Sequence, residues 1–216
     1  AHQTDAVQKA VTLRQYRNYA NLAESYSAIP TPFLAITTGV SAVGKSHVAM
    51  RLVEALGAIR LRSDVERKRL FGEQQEADLG KLSAGIYSQD ASSATYAHLH
   101  QLADAALHAG FPVVIDATYL KQAQRQAACA VAEASGVPFL ILDCAAPDEV
   151  IASWLEQRQA AGSDPSDANM DVVRAQQANR EPLNEAELIH SKRVDTNESA
   201  SLDSLITRIR QRLPGL

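Results

Sequence analysis

The sequence predicts an α/β fold in which a parallel sheet of about five strands lies between two layers of helices. Three observations predict it. Gly39-Val40-Ser41-Ala42-Val43-Gly44-Lys45-Ser46 sets two glycines five apart and follows them with Lys and Ser, the pattern of a loop that cradles phosphates. Short apolar runs at 33–37, 111–116 and 138–143 are separated by helical patterns, and strand–helix alternation favours a parallel sheet with crossover helices. The run Val113-Val114-Ile115 is apolar throughout, as in a strand covered on both faces.

The elements follow in order. Residues 4–27 predict a helix with Val7, Val11, Leu13, Tyr16, Ala20, Leu22 and Ala23 on one broad side. Pro30 and Pro32 stop it. We take 1–30 as helix and linker, expected either to pack on the core or to connect to an upstream domain, and 31–216 as one domain. The run 33–37 is the first strand. After Lys45, the positions Val48, Leu52, Val53 and Leu56 keep a helical period. Residues 58–61 form a second strand ending at Ser63-Asp64, and a helix continues to about Phe71. The polar, Gly-containing stretch 72–90 is expected to be a mobile or partly helical connection. Residues 91–109 are an Ala-rich helix, 111–116 the third strand, 121–135 a helix ended by Gly136, and 138–143 the fourth strand. Helices at 148–160 and 168–179 flank the polar break 162–167. Residues 193–195 make a weak fifth strand and 201–213 a closing helix.

Bulk properties narrow the function. A chain of 216 residues with 46% hydrophobic and 21% charged residues has the composition of a soluble globular protein. A net charge of −4 argues against a general nucleic-acid coat, which is usually basic. Trp154, Tyr87, Tyr96 and Tyr119 form no evident stacking platform for a strand of bases. Cys129 and Cys144 are too few for a disulfide framework and are expected as reduced core thiols in a cytoplasmic protein. No apolar run is long enough for a membrane helix, and no signal-peptide pattern is present. The chain begins without Met, which leaves room for an upstream portion.

The chemistry gathers around the cradle. Glycines let the backbone approach phosphate oxygens, and the amides and helix N-terminus face the anion. The candidate nucleotide contacts are Gly39, Val40, Ser41, Ala42, Val43, Gly44, Lys45, Ser46 and His47. Lys45 would reach the β- and γ-phosphates of ATP, and the Ser46 hydroxyl would ligate Mg²⁺. Asp64, at the end of the second strand, suits the carboxylate that orients an acceptor hydroxyl and takes its proton. Ser63 and Glu66 flank it in capping-box spacing, so helix capping is the competing explanation. Arg67 lies one turn on, as an acceptor-binding cation or as a surface charge. Asp116 ends the most apolar strand and is placed to hold Mg²⁺ or the acceptor, with Thr118 beside it. The alternative is that Asp116 or Thr118 caps the next helix. Arg158 precedes the break in a predicted lid, 158–181, and is our candidate cation over the transferred phosphoryl. Asp164 and Asp167 suit turns and caps. His98, His100 and His108 lack the spacing of a helical zinc pair.

Together these residues resemble a bacterial family of small P-loop kinase-like proteins, known as AAA-family ATPases or zeta-toxin-like proteins. The resemblance runs over roughly 33–196 and rests on Gly39–Ser46, Leu61-Arg62-Ser63-Asp64-Val65-Glu66-Arg67-Lys68-Arg69-Leu70-Phe71-Gly72, Val113-Val114-Ile115-Asp116-Ala117-Thr118, Gly136-Val137-Pro138-Phe139, Asp164-Pro165-Ser166-Asp167-Ala168 and Glu181-Pro182-Leu183. It implies a P-loop NTPase three-layer αβα sandwich of small-kinase type with a helical lid. The same core is similar to the C-terminal half of fusion proteins whose N-terminal half resembles an aminoglycoside phosphotransferase. A fused phosphotransferase-like domain is therefore a candidate partner. Wider relatives include polynucleotide 5′-kinases, gluconate kinases, chloramphenicol phosphotransferases and zeta toxins. The resemblance carries the role of base onto Asp64, and its spacing to Arg67 is similar to that in polynucleotide kinases. Where some members have an arginine pair before the lid break, this chain has Ala160-Ala161. The gluconate-kinase signature after the second strand is not evident.

The function expected is an ATP- and Mg²⁺-dependent kinase acting on a small-molecule hydroxyl. The alternatives are an ATP-binding or ATP-hydrolysing regulatory module coupled to a fused or partner domain, and a polynucleotide 5′-kinase or zeta-toxin-like nucleotide-sugar kinase.

Overall fold

The computed structural model describes residues 6–27, 31–71, 89–161 and 169–212, with side chains left undescribed at some helix ends, including those of 158–161. The chain divides into two compact units at Pro30. The first contains helix α1 (Ala6–Ser27), whose described side chains are exposed.

The second unit is built on a five-stranded sheet, all parallel, in the order β2-β3-β1-β4-β5. The strands are β1 (Leu34–Thr38), β2 (Ile59–Arg62), β3 (Val113–Asp116), β4 (Phe139–Ala145) and β5 (Ser191–Asp195). The helices between them are α2 (Lys45–Leu56), α3 (Ser63–Phe71), α4 (Gln89–His108), α5 (Gln122–Ala134), α6 (Asp148–Ala161), α7 (Met170–Asn179) and α8 (Glu185–His190), and α9 (Ser199–Arg212) closes the unit. Leu34 of β1 pairs with Val113 on one side and Phe139 on the other, which places β1 at the centre.

Strand side chains alternate between faces, and each face is covered. Leu34, Ile36, Val113, Ile115 and Ile141 pack with Leu99, Ala103 and Leu107 of α4 and Ala128 and Ala132 of α5. Phe33, Ala35, Val114, Leu142 and Cys144 pack with α2, α6 and α9 through Val48, Leu52, Ile151, Leu155, Leu202 and Ile206. The sheet is therefore the middle of a three-layer αβα sandwich, covered on both faces as the apolar strands imply. Cys144 is buried, and burial pushes its thiol up to about 12. Cys129 is only half-buried, with its thiol 3.5 Å from Glu133, so it is not the core thiol expected.

Two elements differ from expectation. The fifth strand is longer, Ser191–Asp195, and α8 leads directly into it. Helix α8 escapes periodicity because its pattern is inverted. Glu187 is 8% exposed, whereas Leu188 and Ile189 are 56% and 76% exposed. The expected connection at 72–90 falls almost wholly outside the described residues, as does the break at 162–167 with Asp164 and Asp167. No helix among the described residues is long and apolar enough to cross a membrane.

Candidate active site

In an open parallel sheet, ligands bind at the C-terminal ends of strands where the strand order reverses. Here that point is the end of β1, between β3 and β4. The cradle sits there, and only certain residues fit it. Gly39 has φ +138, and a Cβ on it would lie 2.7 Å from the Cys144 carbonyl oxygen. Gly44 has φ +86, and its Cβ would lie 2.9 Å from Thr196 Cβ. Ala42 also takes a left-handed conformation, with φ 61. The Gly39 amide donates to Thr118 O at 3.0 Å, and Thr196 Oγ1 donates to Val43 O at 2.7 Å. The loop is thus clamped from both sides. Lys45 is buried and its Nζ donates to Val40 O at 2.6 Å. His47 is exposed on α2, at the cavity edge.

Ser46 and Asp116 come together, with the hydroxyl donating to Asp116 Oδ2 at 2.8 Å. A hydroxyl and a carboxylate in contact beside a phosphate cradle form the donor set that Mg²⁺ takes with a nucleotide, completed by phosphate oxygens and water. Asp116 does not cap the following helix, and neither does Thr118, because the N-cap of α5 is Lys121. Thr118 Oγ1 instead meets Tyr96 Oη at 3.2 Å.

Asp64 stands in the first turn of α3. Burial raises its carboxyl above the ordinary value, Arg67 opposes that, and the charge of Asp116 adds to it. Arg67 is half-buried and lines the same cavity as Asp64, unlike the exposed Lys68 and Arg69. Glu66 does not simply serve a capping box, because its carboxylate reaches Arg69 at 2.7 Å and His98 at 3.5 Å. His100 meets the Tyr119 hydroxyl at 3.1 Å, and burial lowers its pKa. His108 pairs with Asp104 at the surface.

Two cavities meet here. The larger, about 760 Å³, runs along the cradle past Ser46, Asp116 and Asp64. The second, about 480 Å³, is lined by Arg67, Tyr96, Lys121, Gln124, Gln176 and Asn179. Ser41, Ser63, Asp64 and Thr118 border both. The Arg158 side chain lies outside the described residues. Arg174 is exposed and pairs with Asp171, and Arg180 pairs with Asp143.

Several residues at the site were missed. Arg60 donates to Asp116 Oδ2 through Nε at 3.1 Å and Nη2 at 2.5 Å, and Arg62 Nε lies 4.0 Å away. The alternation Ile59-Arg60-Leu61-Arg62 is a period-2 signal that puts both arginines on one face. Gln176 of α7 accepts from the Ser41 amide at 2.6 Å, and no local signal marks it. Trp154 and Thr196 line the larger cavity.

The class follows from the loop and the sheet. The chain matches the AAA domain model over residues 34–183 and belongs to that family. Solved structures share the fold. A sugar kinase from Janibacter sp. HTCC2649 is 19% identical, with 86% of this chain and 97% of that one covered at a TM-score of 0.59. A gluconokinase from Sinorhizobium meliloti 1021 is 18% identical, covering 85% and 98% at 0.57. The Mycobacterium tuberculosis APS kinase, solved with AMPPNP and APS, is 20% identical, covering 84% and 97% at 0.53. Comparison with curated proteins gives no match.

Proposed function

We propose that this chain is an ATP- and Mg²⁺-dependent kinase that phosphorylates a hydroxyl of a small molecule. The observation that carries this is the position of Asp64 on the wall shared by the two cavities. One cavity holds the phosphate cradle, and the other, about 480 Å³ and lined by Arg67, Lys121, Gln124 and Asn179 among apolar surface, is within the size range of small-molecule pockets. A carboxylate between them would face both a γ-phosphate and an acceptor.

Amides of the cradle and Lys45 would bind the phosphates, with Ser46 and Asp116 holding Mg²⁺. The metal, when bound, neutralises charge on the phosphate oxygens. The acceptor oxygen attacks the γ-phosphorus, its proton passes to the Asp64 carboxylate, and the bond to the β–γ bridging oxygen breaks to release ADP. Arg67 would orient the acceptor beside Asp64. Thr118 borders both cavities and contributes a hydroxyl to the acceptor side. Arg158, the cation the sequence offers before the lid break, would cover the transferred phosphoryl group. A cytoplasmic setting, with ATP and Mg²⁺ abundant, suits this chemistry.

ADP release tests the assignment. Lys45→Ala should abolish it. Asp64→Asn should lower turnover about 10²–10⁴-fold, the range for loss of a general base, while ATP still binds. Full turnover in both variants sinks the kinase assignment. A second reading, a nucleotide-gated module serving a fused domain, draws support from Gln176, which ties α7 directly to the Ser41 amide. In that case acceptors would leave ADP release at its background rate.

A further inference from the structure

One end of the larger cavity takes no part in the chemistry above. The strand order places Asp64, after β2, and Thr196, after β5, at opposite edges of the sheet. Four strand spacings separate those edges, about 19 Å. The cavity spans the distance and is lined by both residues. The cradle lies between them, after β1. Ser46, Asp116 and Asp64 are all on the β3 and β2 side of it. A terminal phosphate must point toward that side. Whatever is attached to the other end of the phosphate chain must leave toward β4 and β5.

On that side the cavity is walled by Trp154 and Gln157 of α6 and by Thr196. Trp154 is the chain's single tryptophan and is half-buried. Trp154 and Gln157 are three residues apart, on one helix face. The helix is held to the core by Ile151 and Leu155, 2% and 4% exposed. Thr196 is pinned by donating to Val43 O and Ala145 O, at 2.7 and 3.1 Å. The wall is therefore built on fixed supports. An indole presents a flat π-face, and bases stack on aromatic side chains strongly enough to change binding about tenfold or more. The Gln157 amide can both donate to and accept from a base edge.

We propose that Trp154 is the stacking partner of the nucleobase, with Gln157 and Thr196 at its edge. This rests on the cradle being a nucleoside triphosphate site. It assigns a role to the tryptophan that its isolation in the sequence conceals.

The test titrates the intact chain with Mg-ATP and with Mg-tripolyphosphate, which has no base. Heat of binding and tryptophan emission are followed together. ATP should change the emission at saturation, and tripolyphosphate should not. Trp154→Leu should raise the Kd for ATP about tenfold or more and leave that for tripolyphosphate within about twofold, while Trp154→Phe falls between. The wild-type emission change stands without either variant, and a ligand-free melt checks their folding. ATP binding with unchanged emission, and with equal affinity in Trp154→Leu, overturns the proposal and leaves the nucleotide site standing. Binding of neither ligand overturns both.

Discussion

At Asp64, burial opposes ionisation, Arg67 favours it, and the net effect is a raised pKa. That suits a proton acceptor, which needs a carboxylate more basic than an exposed one. Since only the ionised form accepts a proton, kcat/KM should fall as pH drops through this raised value. The acid limb should lie above that of an ordinary aspartate and should vanish in Asp64→Asn. The same shift bears on stability. A folded pKa above the unfolded one gives a contribution that is full below the unfolded value and lost as pH rises through the folded one. Asp64→Asn should therefore melt above wild type at pH 7, and the gap should close toward pH 3. A wild type more stable at pH 7 would show that Arg67 outweighs burial. The placing of Asp64, Ser46 and Asp116 at the cavity was legible because Asp116 ends an apolar run, Ser46 lies within the glycine motif, and Asp64 follows a short strand signal. Arg60 was not assigned, because its partner depends on β2 lying beside β3, which one sequence does not reveal.

Among the elements, the segment after α7 is held by one buried arginine. Arg125 is 1% exposed and donates to both Glu187 oxygens, at 2.7 and 3.0 Å, and to Tyr119 O, Glu181 O and Pro182 O. This pair joins α5 to α8 and fixes the backbone on which α7 ends. Arg125→Ala leaves a buried carboxylate without its cation, and should cost about 3–5 kcal/mol in urea unfolding. Arg125→Met with Glu187→Leu should recover much of that loss. Equal losses in the single and double variants would mean that the backbone bonds, not the ion pair, hold the segment. Helix α8 was hidden by its inverted exposure, yet Asn184 and Glu187 form a capping box that stood in the sequence. Most strands and the longer helices were legible because apolar runs and helical periods are local. The reach of Gln176 to Ser41 spans 135 residues and has no local trace.

On the scale of the whole molecule, nucleotide binding and folding are linked. The cradle draws on β1, β4 and the turn after β5 through Gly39, Cys144 and Thr196, so a ligand there stabilises the sheet that builds it. Mg-ATP at a hundred times its Kd should add about 2.7 kcal/mol. In a domain of this size that raises Tm by about 5–10 °C. Lys45→Ala should lose most of the rise, and an equal rise in that variant would place the nucleotide elsewhere. The measurement that bears most directly on phosphoryl transfer is the fate of the γ-phosphate. Labelled ATP and Mg²⁺ would be incubated with pooled sugars and sugar acids, nucleosides, 5′-hydroxyl oligonucleotides and aminoglycosides, with Asp64→Asn alongside. The account predicts that label moves onto one small-molecule pool and that the variant loses the transfer. Label released only as inorganic phosphate, at the same rate in both proteins, would contradict it.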